Sequence, residues 1–259
     1  MIRKYGLIGF PLEHSFSKKH FDAKFVRRRI TDAQYDLYPL KDIEDLPALL
    51  AANEDILGLN VTVPYKQDVM KFCDTLDNVA KAVGAVNCLK IERIPASDIE
   101  GEETPSSFLI KGYNTDVIGF EKSLLTALLP HHTHALILGS GGASRAVQYV
   151  LNKLGINFKI VSRSDANNNL RYDTMNRDIF ATRLLIINTT PLGMFPLVEK
   201  KPLIPYHLLT KRHLLFDLIY NPNQTQFLSD GKSRGAVIKN GLQMLRLQAD
   251  ESWKIWNEK

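Results

Sequence analysis

The strongest constraint on the fold of this chain lies near its middle. Ala135-Leu136-Ile137-Leu138 is an unbroken apolar run of strand length, and Gly139-Ser140-Gly141-Gly142-Ala143 follows at once, leading into Ser144-Arg145-Ala146 and a helical pattern through Leu154. A strand that turns directly into a helix through glycines belongs to a βαβ unit of a parallel sheet. Such glycines permit a tight turn and let the main chain approach a pyrophosphate, whose charge meets the helix N-terminus. A glycine motif alone carries little weight; the strand before it and the helix after it are the context it requires.

The same alternation runs through the rest of the chain. Tyr5 to Pro11 reads as a first strand ending in Gly and Pro, a helix with Phe21 and Phe25 on one face follows, and Gln34 to Leu40 is a second strand. Ile43 to Leu50 reads as a helix, Ile56 to Val63 as a third strand, Tyr65 to Leu76 as a helix, and Gly84 to Ile91 opens another strand. Pro95 to Ser107 is acidic and rich in turn formers, which predicts an exposed loop between two strands. Val117 to Leu128 is an amphipathic helix, and the break at Leu129-Pro130-His131-His132-Thr133-His134 places a domain boundary. Beyond it come strands at Phe158 to Val161, Leu184 to Ile187 and Leu214 to Leu218, and a helix from Gly241 to about Trp256. Strand and helix in turn predict an α/β fold with mainly parallel sheet and ligands at the strands' carboxyl ends.

Composition narrows the class. With 259 residues, 44% of them hydrophobic, the chain can bury a full core in one or two domains, and two is the count that the boundary supports. A net charge of +5 suits nucleic acid or anionic metabolites, and the metabolite reading is favoured, with no nucleic-acid and no membrane partner. The basic run from Lys24 to Arg29 reads as a solvated helix face. Cys73 and Cys88 form neither a disulfide framework nor a metal-ligand pattern, and no signal layout or membrane-length apolar run is evident, so a reducing cytoplasmic setting is expected. Three nearby histidines, with no acid or cysteine flanking them, read as a surface linker, and no metal is expected.

Candidate chemistry gathers at strand ends. In Leu59-Asn60-Val61-Thr62-Val63-Pro64-Tyr65-Lys66, alternation sends Val61 and Val63 to one face and Asn60 and Thr62 to the other, and the proline ends the strand just before Lys66. Ser15 and Ser17 precede the basic helix, where they can cap it or hold a carboxylate together with helix N–H groups. After the strand at Phe158 to Val161 come Ser162-Arg163-Ser164, where an arginine accommodates the 2′-phosphate of NADP; Asp165 is the one feature that could support NAD.

Taken together, His14-Ser15-Phe16-Ser17, Asn60 to Lys66, Gly84-Ala85-Val86-Asn87, Asn114-Thr115-Asp116, Gly139 to Ala143, Asp217-Leu218-Ile219-Tyr220-Asn221-Pro222 and Gly241 to Gln248 resemble the motifs of the shikimate dehydrogenases, NADP-dependent oxidoreductases of aromatic amino-acid biosynthesis. The resemblance implies a substrate domain over 1–116 plus 241–259, a Rossmann-like NADP domain over 117–240, and an active site in the cleft between them. It implies that Lys66 and Asp116 form a catalytic pair, that Ser15 and Ser17 hold a carboxylate, and that Asn60, Thr62, Asn87, Tyr220 and Gln248 position the ring and its hydroxyls. It further implies that Gly139, Ser140, Gly141, Gly142 and Ala143 cradle the pyrophosphate, that Ser162, Arg163 and Ser164 take the adenosine phosphate, and that Met194 and Gly241 lie near the nicotinamide. Members occur as monomers and homodimers.

The residues agree chemically with these roles. Reducing a ketone by hydride develops negative charge on oxygen, which an ammonium can stabilise and protonate, and an adjacent carboxylate orients that ammonium. Four departures stand out: Lys18 where a proline commonly follows the second serine, Asp22 for an asparagine, a long 95–107 segment, and Ser162-Arg163-Ser164 for the more usual asparagine-arginine-threonine. Two other functions share most of these features, an NAD-using quinate/shikimate dehydrogenase and a non-catalytic sensor for shikimate-like ligands or NADP. Arg163 speaks against the first, and the presence of both Lys66 and Asp116 against the second.

Overall fold

A computed structural model describes residues 2–12, 15–94, 97–99, 102–104, 107–163 and 169–258. The chain divides into two compact units, 1–115 with 249–259, and 116–248. The second boundary therefore lies inside the last helix, between Gln248 and Ala249, rather than ahead of it.

The first unit contains β1 (Arg3–Gly9), α1 (Ser17–Arg28), β2 (Ala33–Pro39), α2 (Leu46–Ala52), β3 (Ile56–Val61), β4 (Thr75–Leu76), α3 (Asn78–Val83), β5 (Cys88–Ile94), β6 (Ser97–Ile99), β7 (Glu102–Thr104) and β8 (Ser107–Tyr113). Its sheet runs β2-β1-β3-β5-β8-β4. The pairs on β1 are parallel, as the alternation predicts, but β5 is antiparallel to both β3 and β8, so the sheet is mixed. Within the segment expected to be a plain loop, β6 and β7 pair antiparallel, with Ser97 opposite Thr104; residues 95, 96, 100, 101, 105 and 106 lie outside the described residues.

The helix expected from Tyr65 to Leu76 does not form. Only Asp68–Phe72 is helical, as a 3-10 turn, and β3 ends at Val61 rather than Val63. The Asp74 N–H donates to the Ile110 carbonyl at 2.9 Å, and the Ile110 N–H to the Asp74 carboxylate at 2.7 Å. Pairing with β8 thus claims the groups that a continued helix would have used, and tertiary structure overrides local propensity.

Aromatic packing fixes α1 and the last helix on one face of this sheet. Phe21 stacks on Tyr35 at 4.2 Å, and Trp253 and Trp256 join them, with the Trp256 indole N–H donating to the Leu89 carbonyl at 2.9 Å. A Cβ on Gly58 would lie 2.3 Å from the Trp256 ring, so only glycine lets the indole reach the strand. Lys24, expected on a solvated face, is buried: its Nζ lies 2.6 Å from Asp250 and 5.7 Å from the centre of the Trp253 ring. Ion pairing and the aromatic face offset its desolvation. Burial pushes the Cys73 and Cys88 thiols up to about 12, which keeps both protonated and unreactive.

The second unit contains α4 (Asp116–Leu125), β9 (His134–Leu138), α5 (Gly142–Lys153), β10 (Asn157–Ser162), β11 (Leu170–Arg171), α6 (Arg177–Thr182), β12 (Leu185–Asn188), β13 (Leu214–Asp217), α7 (Gln226–Ser233), β14 (Val237–Lys239) and the start of α8 (Leu242–Asn257). Its sheet, β11-β10-β9-β12-β13-β14, is parallel throughout. Ala135 to Leu138 and all of β12 and β13 are buried, as unbroken apolar runs in a two-sided sheet require. β10 differs: Asn157 and Lys159 are exposed, and only residues 163–169 link it to β11, well short of the dozen or so that a parallel crossover usually takes.

Of the three histidines expected in a surface linker, His132 is instead buried and built into the structure. His132 Nδ1 accepts the Leu129 N–H at 2.9 Å while its Nε2 lies 3.1 Å from the Arg212 carbonyl, and His213 repeats the device with the Thr210 N–H at 3.0 Å and the Phe180 carbonyl at 3.1 Å. Each imidazole accepts at one nitrogen and donates at the other, so the neutral ring is required. Burial holds both below the usual histidine range. A lowered folded-state pKa adds stability that is complete above about pH 6.5 and fades as pH falls below it, where the unfolded chain takes up protons. The thermal midpoint of the protein is therefore expected to fall more steeply from pH 7 to 5 than that of His213→Gln; parallel profiles would contradict the role.

Candidate active site

In the first unit the expected site residues share one edge of the sheet. The parallel strands β1 and β3 end there, leading to Ser15 and Ser17 and to Thr62 and Lys66. β5 is antiparallel to β3, with Cys88 opposite both Asn60 and Tyr113, so Asn87 enters β5 at this edge and Asn114 and Thr115 leave β8 at it. Mixed topology is thus what brings a residue ahead of a strand beside residues that follow strands.

A buried polar network joins several of them. The Tyr35 hydroxyl donates to Asn60 Oδ1 at 3.0 Å. Asn60 Nδ2 donates to Ser252 Oγ at 2.8 Å and to the Asn87 carbonyl at 3.3 Å, the same carbonyl that accepts the Val61 N–H at 2.9 Å. The Asn87 amide clasps Thr115, its Nδ2 3.0 Å from the hydroxyl and its Oδ1 accepting the Thr115 N–H at 2.6 Å; the Ser252 and Thr115 hydroxyls are 3.3 Å apart. Asn60, Asn87, Thr115 and Ser252 are all buried. Burial pushes the Tyr35 phenol well up, opposed by a hydrogen bond from Ser17.

At the start of α1, Ser15 Oγ accepts the Ser17 N–H at 3.2 Å. The N-cap of α1 is Phe16, which makes no side-chain cap, so neither serine caps the helix as expected; the Ser15 hydroxyl accepts one N–H and retains a proton that it can donate to a carboxylate. Lys18 is drawn to β2, with Nζ 2.7 Å from the Tyr35 carbonyl and 3.1 Å from Asp36. Thr62 and Lys66 are half-buried, and the Lys66 carbonyl anchors its turn by accepting the Val86 N–H at 2.7 Å. His14 lies outside the described residues.

The second unit sets its candidates at the carboxyl edge of its parallel sheet. Gly139 follows β9 with φ +104°, and a Cβ there would sit 2.9 Å from Thr189 Oγ1. Gly141 is the N-cap of α5, and a Cβ on it would meet nothing within 4 Å, which leaves room beside the first-turn N–H groups for an anionic group. That open cradle fits a dinucleotide pyrophosphate. Ser162 is buried at the end of β10 and accepts from Asn169 Nδ2 at 3.3 Å, and Arg163 beside it is exposed. Ser164 and Asp165 lie outside the described residues.

A second buried network carries the loops bearing Met194 and Tyr220. Asn188 Nδ2 donates to Asp217 at 3.0 Å, while Asn188 Oδ1 accepts the Thr190 N–H at 3.0 Å and its hydroxyl at 2.7 Å. Asp217 also accepts from Thr225 Oγ1 at 2.6 Å and from the Ile219 N–H at 3.1 Å. Burial pushes its carboxyl up to about 6 against these hydrogen bonds. Met194 is exposed and Tyr220 half-buried. Asp116 opens α4, and Gln248, buried on α8, lies close by that helix: a Cβ on Gly119 would be 3.0 Å from Gln248 Cβ.

Tyr35, Ser252, Asn188 and Thr225 emerge from these networks without having been singled out by sequence. Tyr35 stands at an apolar strand position and Ser252 on a helix interior, and nothing local marks either as polar machinery. Ser252 is separated from Asn60 by 192 positions in the chain.

Known proteins of one family are similar to this chain. Residues 7–89 match the family model described as the shikimate dehydrogenase substrate binding domain. A shikimate dehydrogenase (NADP(+)) of Methanococcus maripaludis is 37% identical, over 97% of this chain and 90% of the relative. The crystal structure of shikimate dehydrogenase from Aquifex aeolicus superimposes with a TM-score of 0.81 at 33% identity, covering 99% of this chain and 92% of the other. The Thermus thermophilus enzyme, solved in complex with NADP(H) and shikimate, gives a TM-score of 0.81 at 25% identity, covering 99% of this chain and 94% of the other.

One glycine of the set is sterically absolute. A Cβ on Gly241 would lie 2.0 Å from the Leu218 carbonyl oxygen. Gly241→Ala is therefore expected to lower the thermal midpoint by roughly 5 °C or more, because backbone must shift to admit the methyl. An unchanged midpoint in a thermal melt would contradict the contact.

Proposed function

The chain belongs to the shikimate dehydrogenase family, and on that premise we propose that it catalyses the reversible NADPH-dependent reduction of 3-dehydroshikimate to shikimate. The observation that carries this reading is the gathering of Ser15, Ser17, Thr62, Lys66 and Asn87 at one sheet edge of the first unit. A glycine turn with an open cradle and Arg163 at the carboxyl edge of a parallel sheet supports the cofactor half.

In this reading the serines hold the substrate carboxylate at the start of α1, where hydroxyls and helix N–H groups converge. Asn60, Thr62, Asn87, Tyr220 and Gln248 orient the ring and its hydroxyls. NADPH, when bound, supplies the hydride that reaches the carbonyl carbon. The Lys66 ammonium donates the proton that the carbonyl oxygen takes up, so ketone, hydride and proton together give the alcohol. Asp116 accepts a hydrogen bond from a substrate hydroxyl and orients the ammonium. Gly139 to Ala143 receive the pyrophosphate, Ser162 and Arg163, with Ser164, the 2′-phosphate, and Met194 and Gly241 border the nicotinamide. Arginine favours that phosphate because its guanidinium offers paired donors that cannot lose their charge. The substrate unit is 1–115 with the end of α8, and the nucleotide unit 116–248. The two cysteines, both outside any disulfide, fit a cytoplasmic setting.

Lys66→Ala is expected to lower kcat by about two orders of magnitude or more while leaving the KM for shikimate within a few-fold, since it removes an interaction strongest in the transition state. Steady-state kinetics with near-normal turnover would sink the assignment.

A further inference from the structure

The Asn60 amide is almost wholly engaged by protein groups. Both of its N–H bonds point to the Ser252 hydroxyl and the Asn87 carbonyl, and one oxygen lone pair takes the Tyr35 proton. At 4% exposure it has one remaining lone pair with which to meet a ligand. A side chain used in this way acts chiefly by fixing its neighbours, and its orientation is set from its two ends by two hydroxyls. On the oxygen side, Tyr35 is completely buried and stacked on Phe21 of α1, the helix that Ser17 opens. On the nitrogen side, Ser252 is completely buried and 3.3 Å from the Thr115 hydroxyl, which Asn87 holds in turn.

We propose that Tyr35 and Ser252 are positioning residues of the substrate site, locking the Asn60 amide in one orientation and thereby coupling the start of α1, where Ser17 stands, to Asn87, which orients the ring. Neither hydroxyl touches substrate in this account. If either is lost, the amide can rotate, and the two halves of the substrate pocket lose their common reference. All of these residues belong to the first unit.

The inference rests on the shikimate reading, and full-length protein separates the two. Tyr35→Phe and Ser252→Ala are each expected to raise the KM for shikimate at least about fivefold, with kcat changed less and the KM for NADP unmoved. Their double variant is expected to raise it by less than the product of the single effects, because both act through one amide. Ser252→Thr, which keeps a hydroxyl, is expected to restore the wild-type KM. An unaltered KM for shikimate in the single variants, or a KM for NADP that rises equally, overturns the inference. If Tyr35→Phe does not fold, the contrast between Ser252→Ala and Ser252→Thr decides it alone. Wild-type protein that fails to turn shikimate over removes the proposed function and the inference with it; wild-type turnover with unaltered variants removes only the inference.

Discussion

Everything at the substrate edge depends on the hydrogen bonds that satisfy the Asn60 and Asn87 amides away from water. A buried amide without partners costs about 1–3 kcal/mol, a large share of the stability of a domain. Each amide here is met from several elements: Tyr35 from β2, Ser252 from α8, and Thr115 from the end of β8. Satisfying the amides therefore fixes the relative positions of those elements, and with them the start of α1 at Ser17 and the turn that carries Lys66. A polar cluster of this kind specifies one arrangement where a purely apolar core would tolerate several.

The second unit solves the same problem with a carboxylate. Asp217 and Asn188 end neighbouring parallel strands, and their side chains bond to each other and to Thr190, Ile219 and Thr225. Loops at a sheet's carboxyl edge are exposed and would be mobile without such anchors. Here the anchors are buried in the sheet while the residues they support, Met194 and Tyr220, remain accessible. Both units thus place exposed chemistry on loops that start from buried hydrogen bonds.

Much of this was legible in the sequence because the relevant signals are local. Unbroken apolar runs gave β9, β12 and β13, glycines gave the turn into α5, and the order of motifs gave the family. What stayed hidden was non-local. The 65–76 segment reads as a helix until β8 is available to pair with Asp74, and Lys24 reads as solvated until Asp250 and Trp253 of the last helix are beside it. The β6–β7 ribbon pairs mostly polar residues that carry no strand pattern. Tyr35 and Ser252 look like ordinary core and helix residues, and only the folded chain shows that their hydroxyls meet at Asn60. Of the residues assigned to the adenosine phosphate, Ser162 and Arg163 are both legible in sequence and described in the structure.

The central claim is an oxidoreductase specific for one alcohol and one nicotinamide cofactor, and reduced-nicotinamide absorbance measures it directly. Purified protein is offered shikimate or quinate with NADP or NAD, in all four pairings. The signal with shikimate and NADP is expected to far exceed the other three. Turnover mainly with NAD or with quinate, or no turnover in any pairing, would contradict it.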